Sequence, residues 1–170
     1  MDNQQLHTFP NHQDLVDLQK RIPQLDVPSM EIIFILLKTV GELSNAFHTY
    51  LSDYGLSQGK MKILLQLYKD SGKGLLPSEL AICSGVTRGT ITGLIDGLEK
   101  DGYVERIHHK NDRRMVMVKI TSLGAELTEK VLPKHFLDVK KLIDHISVPE
   151  QESLMNILRK LLAEIPTMHS

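Results

Sequence analysis

LPSELAICSGVTRGTITGLIDGLEKDGYVERIHHKNDRRMVMVKIT, residues 76 to 121, changes its periodicity from helix to strand part-way, and that change decides the fold. Pro77 suits the first turn of a helix, where its missing N–H costs nothing. The helix it opens through Ser78, Glu79, Leu80 and Ala81 is expected to stop at Gly85, since glycine readily takes the left-handed conformation at a helix end. Thr87 is a good N-cap for a second helix over residues 88 to about 100. In that helix Ile91, Leu94, Ile95 and Leu98 recur at helical spacing and point inward. The opposite face carries Arg88, Gly89, Thr90, Thr92, Gly93 and Gly97, a slim surface of small residues, hydroxyls and one guanidinium.

Past Asp101 and Gly102 the pattern turns to that of strands, over residues 103 to 107 and again over 115 to 120. Between them lies His108-His109-Lys110-Asn111-Asp112-Arg113-Arg114, a loop with three formal positive charges and one negative. Taken singly, the helix also reads as an ordinary surface helix and the loop as a solvated turn. Side by side they read as a winged helix-turn-helix. A slim helix face fits a DNA major groove, about 12 Å wide, and a basic wing tip reaches the sugar-phosphate backbone or places an arginine in the minor groove. Gly93 and Gly97 each lower helix stability by about 0.5 to 1 kcal/mol relative to Ala; close backbone approach is one reason for them, and a surface helix of poor propensity is the other.

The residues of this stretch resemble the MarR family (multiple antibiotic resistance regulators) of winged-helix transcription factors. The run that carries the resemblance is Leu80-Ala81, Gly85-Val86-Thr87-Arg88, Leu98-Glu99-Lys100-Asp101-Gly102-Tyr103-Val104-Glu105-Arg106, Asn111-Asp112-Arg113-Arg114, Ile120-Thr121 and Gly124. The combination is specific although no piece of it is. It covers roughly residues 29 to 165 and implies that Arg114 enters the minor groove, that Asp112 braces it through a salt bridge, and that Arg113 serves phosphates. The expected DNA-contacting set is Ser78, Thr87, Arg88, Gly89, Thr90, Thr92, Gly93, His109, Lys110, Asp112, Arg113 and Arg114. Two positions depart from the pattern: Leu76 where the family often has a Ser or Thr cap, and Ser84 where it often has Leu.

The net charge of −1 over 170 residues argues against a generic polyanion binder, while leaving a sequence-specific regulator open, because clustering on one face is what matters. Between Val86 and Arg114 six cations face five anions, so orientation has to separate the signs and binding is expected to be salt-sensitive. No apolar run approaches the roughly 18 residues that suggest a membrane span, and no basic start leads into an apolar signal core. The single cysteine excludes an intramolecular disulfide, and a cytoplasmic protein is expected.

Outside the motif the chain reads as helical. Residues 1–28 form a polar extension with a short helix over 13 to 21; Pro28-Ser29 opens a long helix to about residue 53, with Ile32, Leu36, Val40, Leu43, Phe47, Tyr50 and Leu51 along one stripe expected to be buried. Leu56 and Ser57 supply the staple and cap of the next helix. Thr121-Ser122 starts another, with a bend or break expected at Pro133, and a last helix over 149 to 164 repeats Leu154, Ile157, Leu158, Leu161 and Leu162. The expected organisation is an extension (1–28), a helical dimerisation region (29–56 with 122–165) and a winged helix-turn-helix lobe (57–121). The terminal helices are more apolar than one small lobe can cover. Burial in a homodimer, as in the family, is their simplest use and predicts a pseudo-palindromic operator with half-sites about one helical turn apart, with intramolecular core as the competing use of part of each stripe.

Other chemistry is weakly signalled. Cys83 reads as a structural thiol, with no basic neighbour in sequence to lower its pKa. His108 and His109 alternate on a strand end, a poor chelating geometry, so no metal site and no cofactor are expected. No nucleophile elbow, phosphate-binding loop or nucleotide fingerprint points to an enzyme. Phe47 and Tyr50 belong to the aromatics nearest the expected effector site, since the resemblance implies a small, often aromatic or lipophilic effector, with core packing as the plainer reading. The alternatives are a redox- or metal-responsive regulator of the same fold, or a winged helix used as a protein-interaction module without DNA binding.

Overall fold

The computed structural model describes residues 9–70, 72–109 and 112–168, with their side chains except at 109, 112–114 and 167. Among these residues the elements run α1 (His12–Arg21), α2 (Val27–Ser52), α3 (Gln58–Lys69), α4 (Pro77–Ser84), α5 (Arg88–Lys100), β1 (Val104–His109), β2 (Asp112–Ile120), α6 (Ser122–Ile143) and α7 (Val148–Glu164). The chain divides into two compact units, Met1–Gln58 and Gly59–Ser170.

In the first unit the polar extension is more built than its composition suggests. Asn11 caps α1 by accepting from the Asp14 amide at 3.0 Å, and the Asp14 carboxylate accepts from the Asn11 amide at 2.9 Å. The helix then docks on α2: Leu15 is buried, the Phe9 and Phe34 rings stack with centroids 5.0 Å apart, and His12 Nδ1 lies 2.8 Å from Glu31 Oε1. Asp26 caps α2 by accepting from the Ser29 amide at 3.0 Å, with Pro28 in the first turn. Most of the apolar stripe of α2 is not buried in the single chain, Leu51 at its end excepted. Ile32 and Val40 are each more than half exposed, and Val27 and Leu51 are the buried residues of the helix.

In the second unit the core is made by Ile63, Leu64 and Leu67 of α3, Leu80 and Ala81 of α4, Ile91, Ile95 and Leu98 of α5, Val104 and Val118 of the hairpin, and Val131 of α6. Gly85 ends α4 at φ 68°, a left-handed conformation that other residues adopt at a cost, and its amide and that of Val86 return to carbonyls of the last turn. Leu76 has no side-chain oxygen to cap α4; Glu79 compensates by accepting from the Leu76 amide at 2.7 Å, which is the reciprocal half of a capping box. The other departure has no such compensation. Ser84 is buried and its hydroxyl has no hydrogen-bond partner among the described residues.

Two expectations are corrected. The strands run to His109 and from Asp112, so much of the stretch read as a seven-residue loop is paired backbone. The register is Val104↔Ile120 to His108↔Val116, followed by a shift to His109↔Asp112. Charged side chains hid this, because ladder formation needs only backbone groups once the apolar half of the hairpin is anchored. Leu75 adds a short third rung, exchanging hydrogen bonds of 2.9 and 2.8 Å with Val118. Pro133 does not break α6, which continues from Ser122 to Ile143; one lost backbone bond is tolerated with Thr128 and Val131 buried just ahead of it. Thr121 caps that helix by accepting from the Gly124 amide at 3.1 Å and donates to the Gly102 carbonyl at 2.8 Å.

Candidate nucleic-acid interface

α5 separates its two faces cleanly. Ile91, Ile95 and Leu98 are fully buried, while Arg88, Gly89, Thr90, Thr92 and Gly93 are exposed along the opposite side, together with Thr87 at the cap and Ser78 in the first turn of α4. Thr87 is held by its capping role: its hydroxyl accepts from the Thr90 amide at 3.2 Å and lies 2.9 Å from the Thr90 hydroxyl. Of that hydroxyl pair only one hydrogen can lie between the oxygens, leaving the other free to donate outward. Thr92 donates to the Arg88 carbonyl at 3.0 Å, so its outward contribution is a methyl and an oxygen lone pair.

The glycines divide. Nothing lies within 4 Å of a Cβ built on Gly93, so that position is open to a partner. A Cβ on Gly97 would stand 3.1 Å from Cε of Lys60, whose ammonium pairs with Asp101 at 2.6 Å. Gly97 therefore serves packing within the chain. It leaves the slim outer face in which the sequence had placed it.

The formal charges also sort themselves. Arg106 donates through its guanidinium to both Asp96 and Glu99, and its amide donates to Glu99 Oε1 at 3.2 Å. The hydrogen bond to Asp96 and the nearby Glu99 charge hold the guanidinium above the ordinary arginine pKa despite partial burial. Two acidic groups on α5 are thus neutralised from the hairpin, Asp101 just past its end by Lys60, and Arg88 stands exposed at the other end of the helix. Local sequence cannot reveal this pairing, because the partners are seven and ten residues apart across an element boundary.

A groove of about 470 Å³ runs beside Arg88, lined by Ser78, Ala81, Ile82, Gly85, Val86 and Thr87. Ile82 was absent from the expected set. Its signal was available: it lies two residues from buried Leu80, hence on the far side of the α4 wheel. The side chains expected at the wing tip, His109, Lys110, Asp112, Arg113 and Arg114, lie outside the described residues.

Elsewhere, Phe47 and Tyr50 are half-buried on α2, with the Tyr50 ring edge-on to Tyr54 at 5.4 Å. Cys83 is exposed on α4, so it is not the buried structural thiol that the sequence suggested. Among the described residues no group of three or more His, Cys, Asp or Glu side chains is placed to hold a metal ion, and no helix is long and apolar enough to cross a membrane.

Comparison with known proteins agrees with this geometry. A family model described as the MarR family matches residues 56–116. The HTH-type transcriptional repressor YetL of Bacillus subtilis is 32% identical over 161 residues, spanning 95% of this chain and 96% of the relative. Among solved structures, CouR from Rhodococcus jostii RHA1 bound to p-coumaroyl-CoA aligns with a TM-score of 0.65 at 25% identity, over 81% of this chain and 92% of that one. A complex of S. aureus MepR with DNA aligns with a TM-score of 0.69 at 20% identity, over 78% and 94% of the two chains, a likeness of fold.

Proposed function

The chain belongs to the MarR family of transcriptional regulators, and on that premise we propose that it is a homodimeric repressor that holds a pseudo-palindromic operator and leaves it when a small aromatic or lipophilic effector binds. As a member of a family of regulators it is not an enzyme. The observation that carries the reading is the two-faced α5, with an apolar back locked in the core and a slim outer face of Arg88, Gly89, Thr90, Thr92 and Gly93, whose neighbouring carboxylates are neutralised by Arg106 and Lys60. In this reading α5 enters the major groove and Ser78 and Thr87 meet the flanking phosphates. At the wing Arg114 enters the minor groove, Asp112 braces it, and His109, Lys110 and Arg113 serve the backbone.

Two further supports bear on assembly and signal. α7 has no buried residue, and α2 and α6 also leave large apolar side chains in solvent, which suits helices that pair with a second copy. The named repressor YetL supports the repressor mode. CouR was solved with an aromatic acyl-CoA. We assign the effector to the neighbourhood of Phe47 and Tyr50. A ligand that shifts operator affinity tenfold must prefer the DNA-incompetent arrangement by about 1.4 kcal/mol.

Anisotropy titration of labelled duplexes from the region upstream of the protein's own gene tests the core of the reading. Salt-sensitive binding that prefers the native duplex over a scrambled one is expected, and Arg114→Ala should weaken it strongly. Micromolar, sequence-indifferent binding defeats the repressor reading, and a protein partner captured without DNA affinity favours an interaction module. Phenolic acids, fatty acids and hydrophobic drugs are then screened for operator release. One observation favours a second reading: the exposure of Cys83 leaves its thiol open to oxidants. Operator release by peroxide in the wild type, absent in Cys83→Ser, would replace the effector with a redox signal.

A further inference from the structure

We infer that Ile82, at the C-terminal end of α4, reads the C5-methyl group of a thymine in each half of the operator. This rests on the reading of α5 as the helix that enters the major groove, and it adds a specificity residue from the neighbouring helix. Ile82 is 81% exposed, more than any other large hydrophobic side chain among the described residues. The other apolar side chains left most open lie mainly on α2, α6 and α7, the helices assigned above to pairing with a second copy. In the helix-turn-helix, residues 76 to 100, Ile82 is the exposed large hydrophobic. Single exposed hydrophobics are common on protein surfaces; what sets this one apart is its place in the helix-turn-helix beside Arg88.

Its surroundings point to its partner. Ile82 shares a groove with the Ser78 and Thr87 hydroxyls and the Arg88 side chain, and the remaining wall is Ala81, Gly85 and Val86. The lining combines apolar side chains with two hydroxyls and a positive charge, a chemistry complementary to a phosphate-flanked base edge. In the major groove of B-DNA the apolar group is the thymine C5-methyl, which distinguishes T·A from C·G at a position where no hydrogen bond is required. A protein partner would have to supply a carboxylate beside an apolar group, whereas every base edge of DNA is flanked by phosphates, so DNA is the occupant that satisfies both the isoleucine and Arg88.

The test replaces single methyl groups. An operator is first selected by the wild-type protein from random duplexes, and each thymine in one half-site is then exchanged for deoxyuridine, which removes the methyl and leaves pairing intact. For wild type and for the conservative Ile82→Val, one exchange is expected to weaken binding about fourfold, which corresponds to about 0.8 kcal/mol, the value of one methylene-sized apolar contact. Ile82→Ser should bind the thymine operator more weakly and be indifferent to that same exchange, so the two changes do not add. Because the side chain is exposed, a circular dichroism melt of Ile82→Ser should match the wild type. Wild-type binding unaffected by every exchange, or an Ile82→Ser protein as sensitive as the wild type, overturns the inference while DNA binding stands. Failure of the wild type to select any sequence overturns the DNA reading, and the inference with it.

Discussion

The guanidinium of Arg106 is shared by Asp96 and Glu99, so Arg106→Ala exposes two uncompensated carboxylates on the helix that also carries Arg88. The pairs are part-exposed, so the loss of stability should stay below about 1 kcal/mol. Operator affinity should fall several-fold at low salt, and the deficit should shrink as salt screens the carboxylates, which titrations at two ionic strengths will show. A deficit that does not shrink with salt would mean that the uncompensated carboxylates are not its cause. Ser84 carries the opposite prediction. Its buried hydroxyl lacks a partner, and leaving such a group unpaired costs about 1 to 3 kcal/mol, so Ser84→Ala should raise the denaturation free energy by about 1 kcal/mol. At this scale the sequence identified the outer face of α5 and marked Ser84 as unusual. It could not tell that Gly97 accommodates Lys60 or that Arg106 is spent internally, because both depend on contacts between elements distant in sequence.

Among the elements, α6 is fixed by its first turn. A Cβ on Gly124 would collide with the Tyr103 carbonyl oxygen, itself the acceptor for the Thr121 amide at 3.1 Å. Gly124→Ala should therefore destabilise the fold by about 1 to 3 kcal/mol, the range for forced overpacking, as read by urea denaturation. The cap of α2 gives a pH signature. The hydrogen bonds from Ser29, led by that involving its side chain, hold the Asp26 carboxyl below its ordinary value. A folded pKa depressed in this way gives stability that is complete above the unfolded value, about 3.9, and is lost as pH falls through the folded one. Asp26→Asn keeps a capping oxygen without the titration, so acid unfolding monitored by circular dichroism should lose part of its pH dependence below about pH 4. Helices were legible because capping residues and apolar spacing are local signals; α1, α4 and α5 fall within a residue or so of their expected bounds. The hairpin extends past its expected bounds and α6 continues through Pro133, where a bend or break is expected, since ladder pairing and the tolerance of Pro133 depend on neighbours that periodicity does not describe.

Across the whole molecule, the apolar stripes of α2 and α7 were visible in the sequence, but whether they covered a core or a partner was not, since an interface leucine and a core leucine have the same spacing. Exposure separates them. Leu158 is 39% and Leu162 69% exposed in the single chain, so charging both cannot remove core packing of the kind made by Ile91 or Ile95. Leu158→Glu with Leu162→Glu should therefore leave the helix-turn-helix folded, with its helical circular dichroism spectrum retained, while sedimentation shifts the protein from dimer to monomer. Binding a two-fold operator then requires two independent events where the dimer makes one, so affinity should fall by a factor of 100 or so, the scale of the gain from linking two sites. The wild type should melt at a temperature that rises with protein concentration, as mass action demands of a dimer, and the variant should not. A variant that remains dimeric, or a monomer that holds the two-fold operator at wild-type affinity, would mean that these exposed leucines have another use.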